Sequence, residues 1–258
     1  MINEQSLMAL GLSIIAGMAT IIGALIIFIP QSKSEKTITV ALGFAAGIML
    51  SVSFAELLPQ GQALLGKSMG EKLGVVISIL FLIVGIGIAM GIDQFVPHEE
   101  FDEKNGDKPH KNLFRVGFVS MLAITLHNFP EGIATFMAGY NDIGLGITIT
   151  IAIALHNIPE GISVAMPIYF ATGSKKKAFK YTFLSGIAEP LGALLAFLVL
   201  RPFINDFVLG AIFAAISGIM IYISLEELIP SSRQYGYNRL ALMSTLAGIC
   251  IMPISMVI

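Results

Sequence analysis

The sequence predicts an all-α integral membrane protein of eight transmembrane helices arranged 3+2+3, with helices 1–3 and 6–8 forming an inverted repeat. Three observations carry this. Hydrophobic residues fill 55% of the 258 positions and charged residues only 12%, about half the share usual in a soluble domain. The apolar residues gather into runs long enough to cross roughly 30 Å of hydrocarbon. Segments in the first and last thirds of the chain repeat one another. No stretch is left for a soluble domain, so residues 1–258 read as one polytopic membrane domain.

The runs are 7–29, 37–58, 73–95, 113–139, 143–171, 181–200, 208–229 and 240–257. Glu4 precedes the first, with no Lys or Arg, which is unlike a cleaved signal peptide, so the first helix is expected to stay. Glycine occurs 26 times, much of it inside the runs, as close helix–helix approach requires. Cys250 is the single cysteine, which excludes a disulfide framework and a cysteine metal site, and it reads as a small buried hydrophobe. The segment 96–112, VPHEEFDEKNGDKPHKN, is polar and aperiodic and is expected to be a flexible inner loop. His98, Glu99, Glu100, Asp102 and His110 could hold metal there, although a solvated acidic linker is the simpler reading.

Lysine and arginine set the orientation. With the N-terminus outside, the inner loops carry Lys33, Lys36, Lys104, Lys108, Lys111, Arg115, Lys175, Lys176, Lys177, Lys180, Arg233 and Arg239. The outer loops hold only Lys67, Lys72 and Arg201. Both termini are therefore expected outside a cytoplasmic membrane, with Lys175–Lys177 anchored near anionic lipid.

Residues 44–59, FAAGIMLSVSFAELLP, align with 215–230, AISGIMIYISLEELIP, and residues 16–25, AGMATIIGAL, align with 185–194, SGIAEPLGAL. Five helices separate each element from its counterpart, and an odd offset inverts the topology, a recurrent transporter design. Glu56 is then expected to end helix 2 at the outer mouth, and Glu226 and Glu227 to end helix 7 at the inner one. Carboxylates there would concentrate cations or simply be solvated. Met49 and Met220 read as core. Glu189 stands inside helix 6 where helix 1 has Thr20, and a carboxylate at that depth needs a partner.

A second repeat lies between these halves. Residues 127–132 read His-Asn-Phe-Pro-Glu-Gly and residues 156–161 read His-Asn-Ile-Pro-Glu-Gly. In a helix His127 and Glu131 share one face, with Asn128 on its edge, and His156, Asn157 and Glu160 repeat the set. Two such helices face to face gather imidazoles, carboxylates and amides at mid-membrane depth. That nitrogen and oxygen set suits Zn²⁺ or a similar divalent ion. Pro130 and Pro159 give no backbone N–H, so the carbonyls of Leu126 and Leu155 lose their usual donors, which a bilayer tolerates where the backbone is buried or lines a cavity.

Taken together, the paired motifs, the eight helices, the outside termini, the loop after helix 3 and SGIAEP in helix 6 resemble the ZIP family of divalent-metal transporters, and within it the bacterial ZupT-type zinc transporters. The resemblance implies His127, Asn128, Glu131, His156, Asn157, Glu160 and Glu189 as ligands of a one- or two-metal site. It also implies Met49 flanking that site, Met220 and Glu227 along the inner exit, and helices 1, 4, 5 and 6 moving as a unit against 2, 3, 7 and 8. Two departures stand out. The loop 96–112 holds only two histidines where many members have a His-rich stretch. Both motifs also carry Asn beside His where some relatives carry Asp, leaving a second metal position with less negative charge.

The function expected is inward transport of Zn²⁺, with Fe²⁺, Mn²⁺, Co²⁺ and Cd²⁺ as further candidates, by alternating access. The metal would be cargo, with no catalytic cofactor. The expected partners are divalent ions and the bilayer, with a homodimer open and no nucleic acid. Two other readings stay open. An intramembrane zinc hydrolase would use His and Glu much as HExxH proteins do, but here each helix offers one His and no second at i+4. A passive channel or metal sensor could use the same ligands.

Overall fold

The computed structural model describes residues 4–29, 34–95, 110–200, 203 and 205–255. The expected loop, with His98, Glu99, Glu100 and Asp102, lies outside them, as does the side chain of His110. The helices are α1 (Glu4–Phe28), α2 (Glu35–Met69), α3 (Glu71–Phe95), α4 (His110–Asn141), α5 (Ile143–Thr172), α6 (Lys175–Val199), α7 (Asp206–Arg233) and α8 (Asn238–Ser255). Seven are long and apolar enough to span a membrane and α8 is a shorter apolar helix, so the chain is a multi-pass membrane protein. No strand occurs among the described residues.

Polar residues in the connections punctuate the helices. Ser34, Asp142, Ser174 and Asn205 each accept a backbone N–H three residues on, capping α2, α5, α6 and α7. Gly173 (φ 65°) stops α5 and Gly70 (φ 90°) separates α2 from α3, in a left-handed region that only glycine enters freely.

Two helices outrun their apolar segments. α2 was expected to end near Glu56 and α7 near Glu227, yet α2 continues to Met69 and α7 to Arg233. Each passes its proline through one wide π-turn, Ser53–Leu57 before Pro59 and Ser224–Leu228 before Pro230. A proline ring clashes with the carbonyl four residues back, and the wide turn carries the ladder past it. The N–H of Leu58 reaches the Ser53 carbonyl and that of Ile229 the Ser224 carbonyl. Glu56 and Glu227 therefore sit on π-turns in mid-helix.

Glycine divides the molecule. An added Cβ at Gly17, Gly23, Gly132, Gly139, Gly161 or Gly192 would meet another member of the set α1, α4, α5 and α6. One at Gly43, Gly47, Gly61, Gly85, Gly210, Gly218 or Gly248 would meet another member of the set α2, α3, α7 and α8. No described glycine has its close approach across the boundary between the sets. Each set is thus keyed backbone to backbone, as small residues permit in membranes. The boundary is packed by side chains, and apolar grooves of about 350 and 330 Å³ run along it between α2 and α5.

These approaches also come in matched pairs. Gly161 meets the Thr20 carbonyl and Gly132 that of Glu189; Gly23 meets Ile158 and Gly192 meets Phe129. In the other set Gly47 meets Thr245 as Gly218 meets Leu82, and Gly248 meets Phe44 as Gly85 meets Ala215. Contacts of α1 on α5 thereby mirror those of α6 on α4, and contacts of α2 on α8 mirror those of α7 on α3.

Cys250, expected to be a buried hydrophobe, is instead exposed on α8. An apolar run in a membrane helix does not reveal which side faces lipid, because both sides are apolar.

Candidate metal centre

The motif helices α4 and α5 place their polar residues against each other, as the i, i+4 spacing requires. His156 Nε2 lies 2.8 Å from Glu131 Oε1, and His127 Nε2 lies 3.4 Å from Glu131 Oε2 and 3.5 Å from Glu160 Oε1. One ligand atom each from His127, His156 and Glu160 fall within 4.8 Å of one another. All four residues are buried. The motif's glycines supply the remaining walls: Gly132 lets α6 approach at Glu189, and Gly161 lets α1 approach at Thr20.

The two asparagines hold those walls in equivalent ways. Asn157 donates its amide to the Ala16 carbonyl (3.0 Å) and to Glu189 Oε2 (2.8 Å). Asn128 donates to the Ser185 carbonyl (3.2 Å) and to Thr20 Oγ1 (3.5 Å). Ser13 Oγ donates to the main-chain oxygen of Glu189, so the carboxylate of Glu189 is left for Asn157 and the cluster.

The amides are used, but much else is not. Both ring nitrogens of His127, Nδ1 of His156, Oδ1 of Asn128 and of Asn157, Oε2 of Glu131, both oxygens of Glu160 and Oε1 of Glu189 have no hydrogen-bond partner. Buried polar groups almost always find partners, and each left without one costs about 1–3 kcal/mol. Such unpartnered atoms around the His127, His156 and Glu160 grouping are lone pairs that a dehydrated divalent ion can use. The donor set therefore fits a zinc-like cargo. The structure brings His127, Glu131, His156 and Glu160 into contact, pairs Asn157 with Glu189, and turns the Asn128 amide to Thr20 and Ser185 on α1 and α6.

The other predicted residues divide. Glu56, on the π-turn of α2, is within electrostatic reach of His156 and Glu131, takes a long 3.5 Å bond from Gln60 and leaves its buried Oε2 unpartnered. It belongs to the edge of the cluster and not to a helix end. Met49 and Met220 are fully buried core residues whose carbonyls accept from Ser53 and Ser224. Glu226 is exposed. Glu227 is not at a solvated end; it is buried and paired with Arg115, which also binds Asp93. The sequence reads Arg115 as a loop cation and gives Asp93 no role. An acid in the last turn of span 3 and a base in the first turn of span 4 were the signal for this pair.

The description "ZIP Zinc transporter" belongs to the family model that matches residues 97–256. Relatives named "Zinc transporter ZupT" match nearly end to end. That of Streptococcus mutans is 47% identical, covering 96% of each chain; that of Chlorobaculum parvum is 43% identical, covering 99% of each. The chain belongs to the ZIP zinc transporter family. This is a family of transporters and not of enzymes, so the intramembrane hydrolase reading falls. The paired motifs, now seen to meet, are the part of this ZIP chain that the sequence made most legible.

Proposed function

We propose that this protein carries Zn²⁺, with other first-row divalent ions as weaker substrates, across the cytoplasmic membrane through the buried His/Asn/Glu cluster by alternating access. The observation that carries the reading is the meeting of His127, Glu131, His156 and Glu160, with contacts of 2.8, 3.4 and 3.5 Å between them and unpartnered buried polar atoms left on all four. The relatives' names support the cargo. His127, Glu131, His156 and Glu160 act as the principal ligands, with Asn128, Asn157 and Glu189 completing a second position on the α1 and α6 sides. Ligation by nitrogen and oxygen without thiolate gives an affinity from which the ion can be released.

The set α1, α4, α5 and α6 moves against α2, α3, α7 and α8; the glycine keying inside each set and its absence at the boundary support this. The matched contacts support an inverted repeat as the origin of two alternating access routes. The lysine and arginine bias supports termini outside and inward delivery, and residues 1–258 act as one transport domain. Glu56 gathers ions at the outer route and Glu227 lies on the inner one. The exposed apolar face of α3 is compatible with a homodimer in lipid.

Zinc-65 uptake into proteoliposomes tests the reading. The intact chain is expected to show saturable uptake, with His127→Ala and Glu160→Ala each reducing it at least about tenfold, as loss of a ligand should exceed loss of an outer partner. Uptake that persists undiminished in both variants would overturn the cluster as the route. Uptake linear in zinc concentration would favour a channel.

A further inference from the structure

A second polar constellation sits on the boundary between the two helix sets. Arg115 of α4 binds the carboxylates of Asp93 on α3 and of Glu227 on the α7 π-turn, and donates to the Asp93 main-chain oxygen at 3.3 Å. Tyr222 donates to the other Asp93 oxygen at 3.2 Å. The three charged residues are largely buried, with side chains 12%, 9% and 4% exposed. Arg115 lies twelve residues before His127, about 18 Å along the helix, and so well away from the cluster.

The matched contacts show what is unusual here. Glu227 corresponds to Glu56 in the repeat, and Arg115 of α4 corresponds to Gly144 of α5. Among the described residues no guanidinium takes part at the Glu56 end: Glu56 takes its long bond from Gln60 and keeps an unpartnered oxygen. Among the described residues a charged group reaches across the boundary at one end and not at the other. A planar fork with several donors suits two carboxylates on different helices, and a buried pair of this kind is costly to break because it strands its partners.

We propose that Arg115 is an ionic latch that ties the α1–α4–α5–α6 set to α3 and α7 at this end, and that it must release Asp93 and Glu227 before the cluster can open there. Arg115 stands as a tethered cation on carboxylates that a departing divalent ion would otherwise meet, so opening exchanges the guanidinium for cargo or water. This rests on the transport reading only for its consequence; the latch itself is a statement about which set positions are populated.

The test measures set positions with no metal added, in the full chain in lipid nanodiscs. Spin labels go on Lys176→Cys in α6 and Arg239→Cys in α8, both exposed, in a Cys250→Ser background. Double electron–electron resonance is expected to give one dominant distance for the parent. Arg115→Gln is expected to raise a second distance population about tenfold or more relative to the first, the scale of losing a buried charge pair. The exchange Arg115→Glu with Glu227→Arg rebuilds an acid–Arg–acid triad with Asp93 and is expected to restore the single distance. An unchanged distribution in Arg115→Gln overturns the latch. A shifted distribution that the exchange fails to restore also overturns it, because packing and not pairing was then lost. If Arg115→Gln does not fold, Glu227→Gln takes its place with a smaller shift expected and the same overturning result. Zinc uptake measured in parallel separates the two ideas: its absence in the intact chain removes the carrier reading while the distances still decide the latch.

Discussion

Asn157 is where one atom's chemistry matters most. Its amide N–H₂ satisfies both Ala16 and Glu189, leaving only the Oδ1 lone pairs to face the cluster. Replacing it by Asp removes two donated bonds and sets a carboxylate against Glu189. Metal-free Asn157→Asp is expected to lose about 1–3 kcal/mol, seen as a melting temperature several degrees lower in detergent. Zinc should then raise that temperature more than it raises the parent's, since the second metal position gains charge. An equal zinc-induced rise in both proteins would show that Asn157 does not face the metal.

Helices pack here through backbone contact at chosen glycines, and the same residue type is idle elsewhere. A Cβ at Gly161 would strike the Thr20 carbonyl, whereas one at Gly87 would meet nothing within 4 Å. Gly161→Ala is expected to destabilise by about 1–3 kcal/mol through overpacking and to push α1 away from the cluster. Gly87→Ala should be neutral or slightly stabilising, because alanine is the better helix former. Thermal unfolding of the two variants side by side checks this, and a Gly161→Ala as stable as the parent would remove α1–α5 contact as a support of the site.

At the scale of the whole molecule, metal binding and protonation are linked. Histidine and carboxylate bind metal only when deprotonated, so binding must release protons, and zinc affinity is expected to fall as pH is lowered from about 8 to about 5. Calorimetry in buffers of different ionisation enthalpy measures the protons released. Affinity that does not change over that interval would mean that the buried cluster is not the binding site. Glycine keying holds each helix set together internally, whereas side chains meet at the boundary between the sets.

What the sequence determined by itself was whatever a local period or a repeated word can carry. Hydropathy located the eight helices to within a few residues at most ends, because each run must outlast the bilayer, and the two HNxPEG words named the centre because i, i+4 spacing fixes one helix face. Where a signal depended on a partner helix, the tertiary structure decided. Glu56 and Glu227 looked like helix ends because Pro59 and Pro230 normally stop helices; the π-turns carry both helices onward and bring one acid to the cluster, the other to Arg115. Arg115 looked like a loop cation until Asp93 and Glu227 enclosed it. Cys250 looked buried until α8 was seen to turn it outward. Periodicity belongs to one helix, whereas an ion pair, a facing direction or a division into two bodies belongs to at least two.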